Sequence, residues 1–396
     1  MRQSREDRYP TGRGIMSNAL RITGGRVFDG RQFCENTADV CIADGRFTTP
    51  DQMPPDARSM DGAGLMVVPG LVDMHAHVFE GVTIGICADE HFLAKGVTTV
   101  CDAGSAGANT YPAFEKFVIQ GSRCRVKSFL HVSCVGLAVM NESAADMGEL
   151  EEFRFIRADA ACQTVLQRPD HIVGVKVRMG EFLAHSADKE RAGLWAARYV
   201  ADRAHLPLMI HFPGSSLPEE VVLSHLRPGD ILTHIYHPWV GGPLDRRGQV
   251  VDVYRQAKDD GIVFDLGHGR GAFSFDVAER CLDQQLVPDT ISSDLYTMNV
   301  AGPVYDTLTT MDKLLAVGMG LEDVLRATTS RPAEVIGLAD EIGGIAPGLC
   351  GDVTLLAFEE GPSELHDVLR HVRVAPRRLR CRGVILAGEV VWLDRG

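Results

Sequence analysis

Short apolar runs punctuate the middle of the chain, each closing on a glycine or a polar residue. They are Gly70–His77, Val97–Gly104, Val126–Ser133, Val173–Gly180, Pro207–Gly214, Asp230–His237, Ile262–Gly269 and Thr290–Thr297. Helix-like stretches such as Asp188–Ala204 and Asp245–Asp260 lie between most of them. Strands alternating with helices predict βαβ units and a parallel sheet. Eight units in roughly 250 residues fit a closed (β/α)8 TIM barrel better than an open doubly wound sheet. The ends of the chain follow another rhythm. From Leu20 to Met66, β-rich runs alternate with turns, and Asp29–Gly30 and Asp44–Gly45 are hairpin signals. Asp352–Ala357 and Gly383–Leu393 look similar, the second broken by a turn at Ala387–Gly388. The expectation is an α/β chain with a barrel over residues 67–340 and one small β-sandwich assembled from residues 18–66 and 341–396. Residues 1–17 are read as a disordered polar extension, within which Met16 is an alternative start.

Composition removes several classes of function. The 396 residues carry 40 Lys and Arg against 53 Asp and Glu, a net charge of −13. An acidic chain without a basic run offers no electrostatic footprint to nucleic acid or an anionic membrane. No run approaches the ~18 apolar residues of a membrane span, and the polar start lacks the apolar segment of a secretory signal. A small molecule is the expected partner, with homo-oligomerisation left open. Ten cysteines with no CxxC pair read as small buried hydrophobes in a reducing compartment, so the cytoplasm is expected.

The chemistry sits near the C-terminal ends of the runs. The first ends Asp73-Met74-His75-Ala76-His77; alternate side chains share a face, so His75 and His77 point together, roughly 7 Å apart. An HxH alone is weak evidence, because histidines at strand ends are often only hydrogen-bonded surface groups. The fourth run, Val173-Gly174-Val175-Lys176-Val177-Arg178, puts valines on one parity and two cations on the other. Lys176 either snorkels to the strand end or is buried with a lowered pKa, in which case the neutral amine can add CO₂ and bridge two metals as a carbamate. Runs five, six and eight contribute His211, His234 and Asp294. Each has a structural reading: a satisfied buried histidine, or a helix cap for Asp294. Together they do not, because barrel enzymes build their sites at this end and imidazole with carboxylate suits Zn²⁺ and similar ions. Two-metal sites place the ions about 3.5–4 Å apart.

The order HxH, Lys, His, His, Asp resembles the binuclear amidohydrolase superfamily, and the resemblance covers nearly the whole chain. The segments VPGLVDMHAHVFEG, VGVKVR, FDLGHGRGAFSF and ISSDLYTMNVAGP are similar to its amidohydrolase/deacetylase branch, related to dihydroorotases and D-aminoacylases. GGRVFDG and GIAPGLCGDVTLL match segments of the sandwich such enzymes carry. The resemblance implies that His75, His77 and Asp294 bind the more buried metal and His211 and His234 the more exposed one. Lys176, as N6-carboxylysine, would bridge both together with a hydroxide. Asp294 would take the proton as that hydroxide attacks and pass it to the leaving group.

The implied substrate is a small acylated acid, either an N-acyl amino acid or an O-acetyl α-hydroxy acid such as acetyl-mandelate. Cyclic amide hydrolysis, in the manner of dihydroorotase or hydantoinase, is the alternative within the same chemistry. A non-catalytic scaffold is the alternative outside it, and the filled ligand positions count against that. Arg178 is either a clamp for a substrate carboxylate or the partner of a loop acid. His268, among glycines after the seventh run, and Tyr296 and Asn299, after Asp294, are expected substrate contacts; His131 and His237 are expected to be structural.

Overall fold

The computed structural model describes residues 19–35, 39–140 and 148–394; the expected N-terminal extension lies outside them. Seven strands form one parallel sheet in chain order: β1 (Leu71–Ala76), β2 (Val97–Gly107), β3 (Arg125–His131), β4 (Ile172–Arg178), β5 (Leu208–His211), β6 (Ile231–Thr233) and β7 (Val263–Asp265). They coincide with the first seven apolar runs. All residues of β1 and β2 are buried, as are all but the last of β4, the signature of strands covered on both faces.

The eighth run departs from expectation. Residues 290–295 are not a regular strand, although they occupy the eighth position. Two isolated parallel bridges, Asp265 to Thr290 and Ala76 to Leu295, join them to β7 and β1 and close the ring. The backbone amides of Leu266, His268 and Gly269 donate to the carbonyls of Thr290, Ser292 and Ser293. On the β1 side Asp294 N donates to His75 O and His77 N to Leu295 O. The fold is a TIM barrel whose last strand is irregular.

Strand parity sorts the side chains of β4. Val175 and Val177 pack in the large outer core beneath the helices. Val72, Met74, Cys101, Phe129 and Met209 form a separate inner cluster, closed below by Ala333, Ile336 and Leu338. The sandwich draws on both ends of the chain. Leu20–Thr23, Val40–Ala43, Arg46–Thr48 and Arg58–Asp61 make one sheet; Arg26–Val27, Met66–Pro69, Val353–His366, Val372–Leu386 and Glu389–Leu393 make the other. Leu20, Ile22, Ile42, Val67, Val353 and Ile385 fill the space between them. The Asp44–Gly45 turn has φ of 49° and 77°, the doubly positive backbone that a two-residue hairpin with this dipeptide adopts. Among the described residues no helix is long and apolar enough to cross a membrane.

Candidate metal centre at the barrel mouth

A cavity of about 400 Å³ opens at the C-terminal ends of the strands, and its floor includes His75, His77, His211, His234 and Asp294. Asp294 Oδ1 lies 3.1 Å from His77 Nε2 and 3.5 Å from His75 Nε2. Lys176 is fully buried with its Nζ 3.4 Å from His75 Nε2, and His211 Nδ1 is 2.7 Å from His234 Nε2. The six residues expected to hold metal are therefore gathered in one place. Within the group, ligand atoms of His75, His234 and Asp294 all lie within 4.8 Å of one another.

Hydrogen bonds behind the imidazoles fix which nitrogen faces the cavity. His234 Nδ1 is 2.6 Å from Gly267 O; a carbonyl can only accept, so the proton sits on Nδ1 and Nε2 keeps its lone pair. His75 Nδ1 is 2.9 Å from Thr233 Oγ1, whose hydroxyl donates to Asp265. His77 Nδ1 is 2.9 Å from Ser105 Oγ. Such outer partners set tautomer and ring orientation at metal sites.

The electrostatics suit cations. Burial pushes His75 and His211 below the usual imidazole range and His234 down to about 3, so all three stay neutral at pH 7 with lone pairs available. Burial also brings the Lys176 ammonium down to about 7. Asp294 is the reverse case: burial would raise its pKa, but the imidazoles of His75, His77 and His234 hold it well below the usual carboxylate range. Its Oδ1 is buried without a hydrogen bond. A buried carboxylate oxygen without a hydrogen bond, 3.1 Å from His77 Nε2 and 3.5 Å from His75 Nε2, is what a divalent ion would satisfy. The donor set fits a metal.

The expected substrate contacts divide. Arg178 and Tyr296 line the cavity, but Arg178 is clamped by Glu149, with Nε–Oε1 at 2.6 Å and Nη2–Oε2 at 2.9 Å. Its fork is already engaged by a loop acid. His268 and Asn299 do not line the cavity, contrary to expectation. His268 is fully buried, its Nδ1 on Gly269 O and its Nε2 2.8 Å from Lys313 Nζ. Asn299 donates to Asp294 O and accepts from Tyr296 N, holding the loop that carries Asp294. His237, and His131 with its Nδ1 accepting from Ser133 N, are buried structural groups as expected.

Several contributors escaped the sequence reading. Asp265 accepts from Thr233, Thr290 and two ways from Ser292, tying β6, β7 and the irregular eighth segment beneath His75. Asp73 does the same between β1, Ser293 N and Thr307 Oγ1. A carboxylate inside an apolar run, the anomaly that singled out Lys176, marks Asp265 too. Glu149, Trp239, Arg270 and Met298 come from loops, where no periodicity flags them.

Comparison with known proteins places the chain. The amidohydrolase family description matches residues 66–391, and the chain belongs to that family. It is an amidohydrolase-type hydrolase, of a family that typically binds metal ions. A protein named deacetylase from Brucella anthropi is 31% identical over 388 residues, covering 96% of this chain and 95% of its own. Another deacetylase, from Agrobacterium fabrum, is 32% identical over 371 residues, covering 92% and 89%. Among solved structures, an adenine deaminase superimposes with a TM-score of 0.85 at 27% identity, covering 95% of this chain and 99% of that one. A dihydroorotase gives 0.84 at 30% identity, covering 95% and 98%. Differently named reactions on one scaffold mean that the fold alone does not select the substrate.

Proposed function

We propose that this chain is a deacylase, cleaving the amide or ester bond of a small carboxylate-bearing acylated substrate such as an N-acyl amino acid or acetyl-mandelate. The observation that carries the reading is the Asp294 carboxylate, buried with an unsatisfied oxygen among inward-facing histidine nitrogens. The deacetylase-named relatives, aligned over nearly their whole length, favour acyl transfer to water over the other reactions of the fold. Cyclic amide hydrolysis is the second reading, favoured by the 30% identical dihydroorotase structure.

In this reading His75, His77, His211, His234, Asp294 and a carboxylated Lys176 hold two divalent ions, Zn²⁺ being the choice of this donor set. When bound, the ions acidify water and polarise the scissile carbonyl. Lys176 can accept CO₂ because its amine is substantially neutral near pH 7. Asp294 faces the reacting atoms from one side: it takes the proton of the attacking water and returns it to the leaving nitrogen or oxygen. Its low basicity in the metal-free site does not describe the loaded one, where cation charge dominates. Tyr296 and the Arg178–Glu149 pair form the wall that orients the substrate, and the apolar side chains Ile84, Leu137 and Met140 exclude water. The barrel of residues 67–340 does the chemistry, and the sandwich of residues 18–66 and 341–396 braces it, as where Gly70 N donates to Asp352 O. All ten cysteines are free, which supports a cytoplasmic setting.

The test is a hydrolysis screen of the Zn²⁺- and bicarbonate-treated protein against D- and L-N-acyl amino acids, O-acetyl α-hydroxy acids and cyclic ureides, with metal analysis alongside. Turnover confined to the ureides would replace the deacylase reading with the second one. Trace metal and no turnover on any substrate would remove both.

A further inference from the structure

Two arginines line the cavity, and they are not equivalent. Arg178 is largely buried and locked to Glu149, which is itself fully buried. A substrate carboxylate arriving there would meet the Glu149 charge, and displacing Glu149 would strand a buried anion. Arg270 is the opposite. It is exposed, its Nη1 lies 3.8 Å from the Met298 sulfur, and among the described residues no carboxylate pairs with it.

The position of Arg270 is fixed by its neighbours. Gly269 has φ of 54°, and a Cβ there would come within 2.5 Å of Asp294 Oδ2, so the loop's main chain passes directly over the carboxylate. On the other side Trp239 Nε1 donates to Gly271 O. The Arg270 backbone is thus fixed one residue, about 3.8 Å, beyond Gly269, and its side chain shares the cavity lining with Asp294. Apolar walls flank it: Met298, Ala272 and the Trp239 ring.

We propose that Arg270 is the residue that recognises the substrate's carboxylate, with the Arg178–Glu149 pair serving as a fixed wall. A cation without a carboxylate partner in the cavity lining favours acylated acids over acyl compounds that lack a carboxylate. This specificity assignment rests on the deacylase reading, but its test need not involve turnover.

Mandelate and its uncharged analogue mandelamide, both as racemates, are titrated into the protein as purified, with binding followed by calorimetry. Wild type should bind mandelate about ten- to a hundredfold more tightly than mandelamide, the range expected of one charge-assisted contact. Arg270→Met should bring mandelate down to the level of mandelamide and leave mandelamide unchanged. Arg270→Lys should keep part of the preference, because a point charge replaces a fork. Three outcomes overturn the assignment: no preference in wild type, a preference that survives Arg270→Met, or an equal loss for both ligands. If mandelate binds through Arg270 while neither acetyl-mandelate nor any N-acyl amino acid is hydrolysed, the deacylase reading fails and Arg270 remains a carboxylate anchor.

Discussion

The two halves of the barrel are built by different means. Strands β1 to β4 are six, eleven, seven and seven residues long, whereas β5 to β7 are four, three and three, and the eighth position has no regular strand. In the first half, Lys176 stands within ladders to β3 and β5, at a height set by backbone pairing, and His75 lies in β1 where the pairing with β2 shifts register. In the second half the chain leaves the sheet early and turns inward. His234 has φ of 69° and Asp294 of 46°, with Gly267 and Gly269 also positive. Left-handed backbone at a residue other than glycine costs about 1–3 kcal/mol and survives only where surroundings over-determine it. Here they do: Asn299 holds Asp294 O, His75 O takes Asp294 N, and Gly267 O takes His234 Nδ1. The comparison teaches that one half supplies a rigid seat and the other aims side chains no straight strand would deliver.

The largest effects should come from removing a group each half contributes. Asp294→Asn keeps the shape and most of the proposed metal donors but removes the proposed proton carrier. It should lower kcat/KM by about three orders of magnitude while thermal unfolding and metal content stay near wild type. Activity within tenfold of wild type would eliminate Asp294 as the shuttle. Lys176→Ala acts on the regular half. It should lose bound metal, measured by plasma emission spectrometry, together with activity. Short carboxylic acids should restore part of both if a carboxylated lysine is what is missing. Full metal content in the variant would exclude Lys176 as a bridge.

The same division governs how much was legible in the sequence. Seven of eight apolar runs became strands because a parallel strand buried on both faces must be apolar throughout, and a histidine or lysine in it stands out. The eighth, Ile291-Ser292-Ser293-Asp294, shows the limit. Its serines and aspartate read as the end of a strand, but Ser292 is used to bond Asp265, and the Ser293 amide bonds Asp73. Side-chain hydrogen bonds interrupt the ladder, and that competition is invisible without three dimensions. His268 departs from expectation for a related reason. Its glycine-rich surroundings suggested an open loop, whereas a lysine 45 residues later, Lys313, reaches back to it. Arg178 left two readings, and Glu149 decides the free protein toward the ion pair because it offers a complete bidentate acceptor.

A pair of glycine substitutions sharpens the contrast at intermediate cost. Gly269→Ala adds a methyl within 2.5 Å of Asp294 Oδ2 at a positive φ, in the irregular half. Gly174→Ala adds one within 2.3 Å of the Phe129 ring, inside β4. The first should cut kcat/KM by about ten- to a hundredfold with a small change in the urea midpoint, because the strain falls on the carboxylate proposed to carry the proton. The second should cost about 1–3 kcal/mol of stability through overpacking, with kcat per folded molecule nearly kept. Equal losses of activity and stability in both would dissolve the distinction between seat and aim.

The smallest effect concerns what buttresses the irregular half. Lys313 Nζ, buried on the helix Thr307–Ala316, donates to His268 Nε2 and to Pro303 O, and His268 Nδ1 in turn holds Gly269 O beside Asp294. Burial brings the Lys313 ammonium down to about 7, whereas the unfolded chain keeps a lysine near 10.4. Between these values the unfolded state binds a proton that the folded state does not. This side chain therefore makes stability rise with pH across that window, and below pH 7 the cost of burying its charge is fully present. Lys313→Met removes the slope. The difference between wild-type and variant urea midpoints should move toward wild type from pH 7 to pH 9.5. Parallel curves would mean that Lys313 titrates as an ordinary lysine. A neutral amine still donates to His268, so wild-type activity should follow the buttress rather than the charge. In the variant kcat should fall only about two- to fivefold, since the Gly269 loop keeps its backbone bond to Ser293 O.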